Sequence, residues 1–166
     1  MIRLHDLLEV RRLGLSAVVG DEPGETWLRW VQVVEDETAE LIGGELVLTT
    51  GRWHHDAADS DRFVHAMAAQ GAAAIAVALH RGAMIPPDLV RACLDRSLPL
   101  VQIPAGVSCE LVGEFATTLI VDRRGAALVE FLTRQRALGE AAAQGGGVRA
   151  LLDVAQAESP HRIWLA

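Results

Sequence analysis

The chain has 166 residues, with 15 basic and 22 acidic side chains for a net charge of −7, and 51% of it is hydrophobic. That length suits one domain, or one plus an appendage, and the apolar content excludes a disordered chain. No apolar run approaches the ~18 residues of a membrane span, and an acidic chain without clustered basic residues opposes direct contact with nucleic acid.

Leu4 to Val10 reads as a short helix with Leu4, Leu7 and Leu8 on one face. Leu15 to Val19 is a short apolar run closed by Gly20, and Asp21 to Gly24 is a turn. Trp27 to Val34 alternates as one strand partly buried on both faces, and Thr38 to Ile42 predicts a helical turn stopped by Gly43 and Gly44. Glu45 to Gly51 is too apolar for a half-exposed strand and belongs inside a covered sheet. Asp59 to Gln70 has helical spacing through Phe63 and Met67, with Gly71 as its stop.

Ala73 to Leu79 predicts a second buried strand. Pro86 and Pro87 open a helix with Leu89, Val90, Cys93 and Leu94 inward, and Leu98 to Ile103 is a short strand between prolines. Strand and helix thus alternate through the middle of the chain, the signature of βαβ units. The expected fold class is α/β: a three-layer sandwich with a mixed, mostly parallel central sheet, followed by a long C-terminal helix.

From Ser108 the pattern changes. Residues 109–144 are dense in helix formers, with an apolar stripe through Leu111, Phe115, Leu119, Leu128, Phe131 or Leu132, and Leu138. A helix of that length could outreach its domain, which predicts a homodimer contact through residues 108–144; the alternative is two helices broken near Asp122 to Gly125. Gly145 to Gly147 reads as a hinge, Val148 to Ala157 as a helix and His161 to Leu165 as a strand. The expected organisation is a sensing domain over 1–107, an exit helix over 108–144, and a hinge with the start of a further domain over 145–166.

No phosphate-binding loop, dinucleotide fingerprint or nucleophile elbow is present, so no catalytic residue is assigned and no enzyme activity or cofactor is expected. His54, His55, Asp56, Asp59 and His65 lack the spacing of a metal site and read as a solvated loop or a single ligand contact. Cys93 and Cys109 read as small apolar fillers, and the N-terminus lacks a signal peptide's apolar core, which predicts a cytoplasmic protein.

The candidate ligand-binding site is the end of the buried strand. In α/β sheets ligands settle outside the carboxyl ends of strands, where loops diverge. Thr49 and Thr50 supply hydroxyls, Gly51 permits close approach, and Arg52 and Trp53 bring a guanidinium and an indole. Glu35, after the Trp27–Val34 strand, and Arg81, after the Ala73–Leu79 strand, complete the set. Such residues suit a small polar, planar or anionic molecule.

The opening His5-Asp6-Leu7-Leu8, the strand ending Val33-Val34-Glu35 and the run Gly43-Gly44-Glu45-Leu46-Val47-Leu48-Thr49-Thr50-Gly51 resemble the N-terminal domain of the PucR family, bacterial regulators of purine catabolism. Ile85-Pro86-Pro87 and Leu98 to Pro104 match too, so the resemblance covers about residues 2–122. The strand and Thr-Thr-Gly arrangement is more distantly similar to the N-terminal domains of Mur ligases, where the loop lies near a uridine nucleotide.

The PucR resemblance implies a sensing domain, a GAF- or GGDEF-like middle segment and a C-terminal helix-turn-helix. It makes the chain a truncated form or natural fragment whose DNA-binding part lies elsewhere. The leading expectation is an effector-sensing module for a small metabolite related to purines. The alternative is a dimerisation module with no ligand of its own.

Overall fold

A computed structural model of the chain describes residues 1–20, 25–78 and 84–143. The expected turn at Asp21 to Gly24, Arg81, the hinge at 145–147 and the elements of 148–165 lie outside the described residues. Two compact units are distinguished, Met1–Arg123 and Arg124–Ala166.

The first unit begins with β1 (Ile2–Arg3), α1 (Leu4–Leu8), β2 (Ser16–Val19), β3 (Trp27–Leu28) and β4 (Trp30–Val33). It continues with β5 (Glu45–Thr49), α2 (Ala57–Ala69), β6 (Ala74–Ala78), α3 (Pro87–Asp95) and β7 (Leu100–Ile103). The last helix, α4, spans Cys109–Ala143 without a break at Gly125.

One five-stranded sheet runs in the order β2-β7-β6-β5-β4. Neighbours from β4 to β7 are parallel, and β2 joins β7 antiparallel, which makes the sheet mixed. The expected α/β sandwich is therefore the observed fold.

Alternation along β5 divides the core. Leu46 and Leu48 join Leu4, Leu7, Val112, Ala116 and Ile120 on the side of α1 and α4. Val47 joins Phe63, Val64, Met67, Leu89 and Cys93 on the side of α2 and α3. A strand with period two and both faces covered has no position left for a solvated side chain, and all five residues of β5 are buried.

Several expectations need correction. The single strand at Trp27–Val34 divides at Arg29, because β3 pairs with β1 while β4 pairs with β5. Thr38 to Ile42 forms no helical turn. Side chains capture the backbone donors such a turn would use: Asp36 takes the Thr38 N–H, Gln70 takes that of Leu41, and Glu45 takes those of Ile42 and Gly43. The parallel β4–β5 connection therefore passes without a helix.

In α3 Leu89, Ala92 and Cys93 are buried and Val90 packs half-buried beside them, whereas Leu94 is exposed. In α4 the buried line is Cys109, Val112, Ala116 and Ile120, one position from the expected stripe. Small residues let this helix lie close on the sheet: a Cβ on Gly113 would stand 3.4 Å from Leu48. Leu111 is exposed, and Phe115 and Leu119 flank the contact half-buried.

Candidate functional site

The carboxyl end of β5 turns sharply at Gly51, whose φ of +72° favours a residue without a Cβ. Thr49 organises this turn from inside the core. Its hydroxyl oxygen accepts the Gly51 N–H at 3.2 Å and the Trp53 indole N–H at 2.9 Å. Trp53 is thereby folded back onto Phe63 of α2, with ring centroids 4.1 Å apart and planes 10° from parallel.

The rest of the loop is tied to both helices of that face. His54 Nε2 lies 2.8 Å from Asp88 Oδ2, and the same oxygen accepts the buried Ser60 hydroxyl at 2.6 Å. Burial raises the Asp88 carboxyl, but the bonds from Ser60 and His54 outweigh it and hold the group below its ordinary value. His55 turns the other way, with Nδ1 2.9 Å from the Trp53 carbonyl, which places a proton on that nitrogen. Adjacent histidines are thus committed to different partners.

Asp56 caps α2, accepting the N–H groups of Ala58 and Asp59, while Asp59 reaches back to the Asp56 N–H. The first turn of α2 therefore starts two residues before the expected Asp59.

At the end of β4, Glu35 accepts both the backbone N–H of Thr50 at 3.0 Å and its hydroxyl at 2.7 Å. Beyond it, Asp36 holds Thr38 through N–H and hydroxyl, and these bonds lower the Asp36 carboxyl. Between this loop and α2 lies a cleft of about 400 Å³. Its lining is Glu35 to Thr38 from the β4 end, Trp53 and His55 from the β5 end, and Asp59, Arg62 and Phe63 from α2. Arg62 bridges the wall, 3.4 Å from Glu37 and in contact with Asp59.

Of the residues read as ligand-binding, Glu35 and Trp53 line this cleft and Thr50 is bonded to its rim. Thr49 is buried with its hydroxyl engaged by the loop itself. Arg52 is exposed and, among the described residues, has no hydrogen-bonding partner. Arg81 lies outside the described residues.

Sequence reading did not select Asp36, Glu37, Thr38 and Arg62 for this wall. The Asp-x-Thr pattern after a strand end, which favours an Asx turn over a helix, was the available signal. A second hollow of about 540 Å³ lies between α2 and α3, lined by Ala57, Asp61, Asp88, Arg91 and Asp95.

The start of α4 lies within electrostatic reach of the cleft. Ser108 caps it, accepting the Leu111 N–H at 3.2 Å. The buried Cys109 thiol is pushed up to about 11, first by burial and then by the Glu35 and Glu110 carboxylates.

The purine catabolism regulatory protein-like family, PucR, matches residues 6–120. The chain belongs to the PucR family. PucR proteins are regulators rather than enzymes, and the match takes in the five-stranded sheet and the first turns of α4. The Gly43-Gly44-Glu45 part of the PucR-like run serves architecture at the amino end of β5. Glu45 is buried and accepts two N–H groups, and both glycines have positive φ. The Thr49-Thr50-Gly51 part lies at the opposite end of the strand.

No curated protein matches the chain. A solved structure of the CBS and DRTGG domains of the regulatory region of Clostridium perfringens pyrophosphatase, complexed with the activator diadenosine tetraphosphate, is 11% identical with a TM-score of 0.39. The likeness covers 72% of this PucR chain and 46% of that one. Among the described residues, no helix is long and apolar enough to cross a membrane.

Proposed function

We propose that this PucR-type domain senses a small metabolite in the cleft at the carboxyl ends of β4 and β5. Binding is passed to α4 and so to a DNA-binding helix-turn-helix that belongs to other parts of the regulator, in the cytoplasm. The observation that carries this reading is the Glu35–Thr50 contact, which joins two strand ends, borders the cleft and stands within electrostatic reach of the first turn of α4. A cleft of several hundred Å³ with an aromatic wall and a few oriented polar groups suits a small molecule.

The residues proposed for contact are Glu35, Thr50, Trp53 and Arg81, with Thr49 and Gly51 shaping the loop; Arg52 is exposed and does not line the cleft, so a contact from it requires its side chain to swing toward the ligand. Regulation requires that the ligand bind two arrangements of α4 with different affinity. Purines, ureides and nucleotides would be screened by thermal shift on the parent chain and on Thr50→Ala with Arg52→Ala. A hit that stabilises the parent and is lost in the variant supports the site. A panel that stabilises nothing defeats the reading for those ligands.

A second reading, dimerisation through α4, is favoured by the exposed Leu128, Val129, Phe131 and Leu132 on that helix. Sedimentation at tens of micromolar tests it, and a monomer would defeat it.

A further inference from the structure

The cleft's charge restricts what it can hold, an inference that rests on the sensing reading and deepens it. Among the described residues, four carboxylates line it, Glu35, Asp36, Glu37 and Asp59, against the single guanidinium of Arg62. That guanidinium is already shared between Glu37 and Asp59, and His55 Nδ1 stands 3.4 Å from Asp59 as well.

Hydrogen bonds keep two of these acids ionised. The hydroxyl and N–H of Thr38 lower the Asp36 carboxyl, and the N–H groups of His55 and Asp56 lower that of Asp59. The free cation nearest in sequence, Arg52, does not line the cleft. Among the described residues that line the cleft, an entering carboxylate or phosphate would meet like charge and no uncommitted cation. An N–H-bearing cation would meet acceptors instead.

The other wall is flat and apolar, made by Trp53 stacked on Phe63. We infer that the cleft selects a small, flat organic cation, an amidinium, guanidinium or protonated amine on a planar body, and rejects anions of the same shape. Its carbon plane lies along Trp53 and its N–H groups point to the acidic rim formed by Glu35 and Glu37.

Benzamidine and benzoate test this, since they share a body and differ in the sign of their charge. Each would be titrated into the chain while the Trp53 indole N–H is followed by NMR, assigned with Trp53→Phe. Benzamidine is expected to shift that signal, and Glu37→Gln to weaken its binding about two- to fivefold, the range of a partly exposed ion pair. Added salt should weaken it too, because the attraction is screened.

Equal or tighter binding of benzoate at Trp53 would overturn the charge selection while leaving the sensing site standing. An anionic hit from the metabolite screen that maps to Trp53 would do the same. If both probes leave Trp53 unmoved, the cation assignment fails. The sensing reading then stands or falls on the metabolite screen alone.

Discussion

Thr50 donates both its backbone N–H and its hydroxyl to one carboxylate, that of Glu35, at 3.0 and 2.7 Å. Fifteen residues of chain separate the two, and the contact closes the gap where β4 and β5 diverge. Hydrogen bonds to a charged acceptor are stronger than neutral ones, and this acceptor takes two.

Replacing Glu35 by Ala should therefore cost about 1–2 kcal/mol, less than for a core site because water can reach the pair. The thermal midpoint would fall by a few degrees. Thr50→Val, which keeps the N–H bond and loses the hydroxyl, should cost about half as much. Glu35→Ala with Thr50→Val together should cost less than the sum of the single changes, which a double-mutant cycle in urea would measure.

Glu45 should be far less tolerant. It is buried and its two oxygens accept the Ile42 and Gly43 N–H groups at 2.8 and 2.9 Å. Glu45→Ala strands two donors and leaves a cavity, for an expected loss of about 2–4 kcal/mol. Glu45→Gln keeps one acceptor and should lose less. The midpoint of urea unfolding reads both.

Gly44 carries a φ of +84°, and a Cβ there would stand 2.7 Å from Arg29 Cδ. Gly44→Ala should destabilise by about 1–2 kcal/mol from backbone strain alone. Adding Arg29→Ala removes the clash but not the strain, so only partial recovery is expected in thermal unfolding.

Acid should weaken the domain through Asp88. Its folded carboxyl sits below the ordinary value of 3.8, so the unfolded chain binds a proton first as pH falls. The stabilisation from this group is fully present above about pH 4, the unfolded range, and is lost as pH drops through the lower folded value. Asp88→Asn should show a smaller loss of stability than the parent between neutral pH and pH 3. Equal losses would show that the Ser60 and His54 contacts carry no net preference for the charged form.

Both thiols should be silent in the native state. Burial pushes Cys93 up to about 12, and burial with the Glu35 and Glu110 carboxylates pushes Cys109 up to about 11. Thiolate is the reactive form, so a disulfide reagent at pH 8 should titrate neither residue until denaturant is added. Fast labelling of Cys109 alone would mean that the start of α4 opens while the sheet stays folded.

The alternation of strand and helix from Glu45 to Ile103 was legible in the residues, because it depends on local periodicity and on glycine and proline stops. So was the interior placement of β5: a strand with apolar residues on both sides must be covered twice. The place of Glu35 and Trp53 at the carboxyl ends of the neighbouring strands β4 and β5 followed from the rule for parallel sheets.

Tertiary packing decided the rest. Thr49 and Thr50 are the same residue type side by side, yet pleating sends one into the core to hold Trp53 and leaves the other to meet Glu35. The stripe on α4 moved by one position because close approach to Leu48 rewards Gly113 and Ala116 over larger neighbours. The sign of charge in the cleft came from Asp36, Glu37 and Asp59. Their carboxylates meet Trp53 only because the β4–β5 connection, clamped by Gln70 and Glu45, passes beside α2 without becoming a helix. A local pattern can name a strand and its buried faces, but the charge at its end is set by whichever distant segments fold against it.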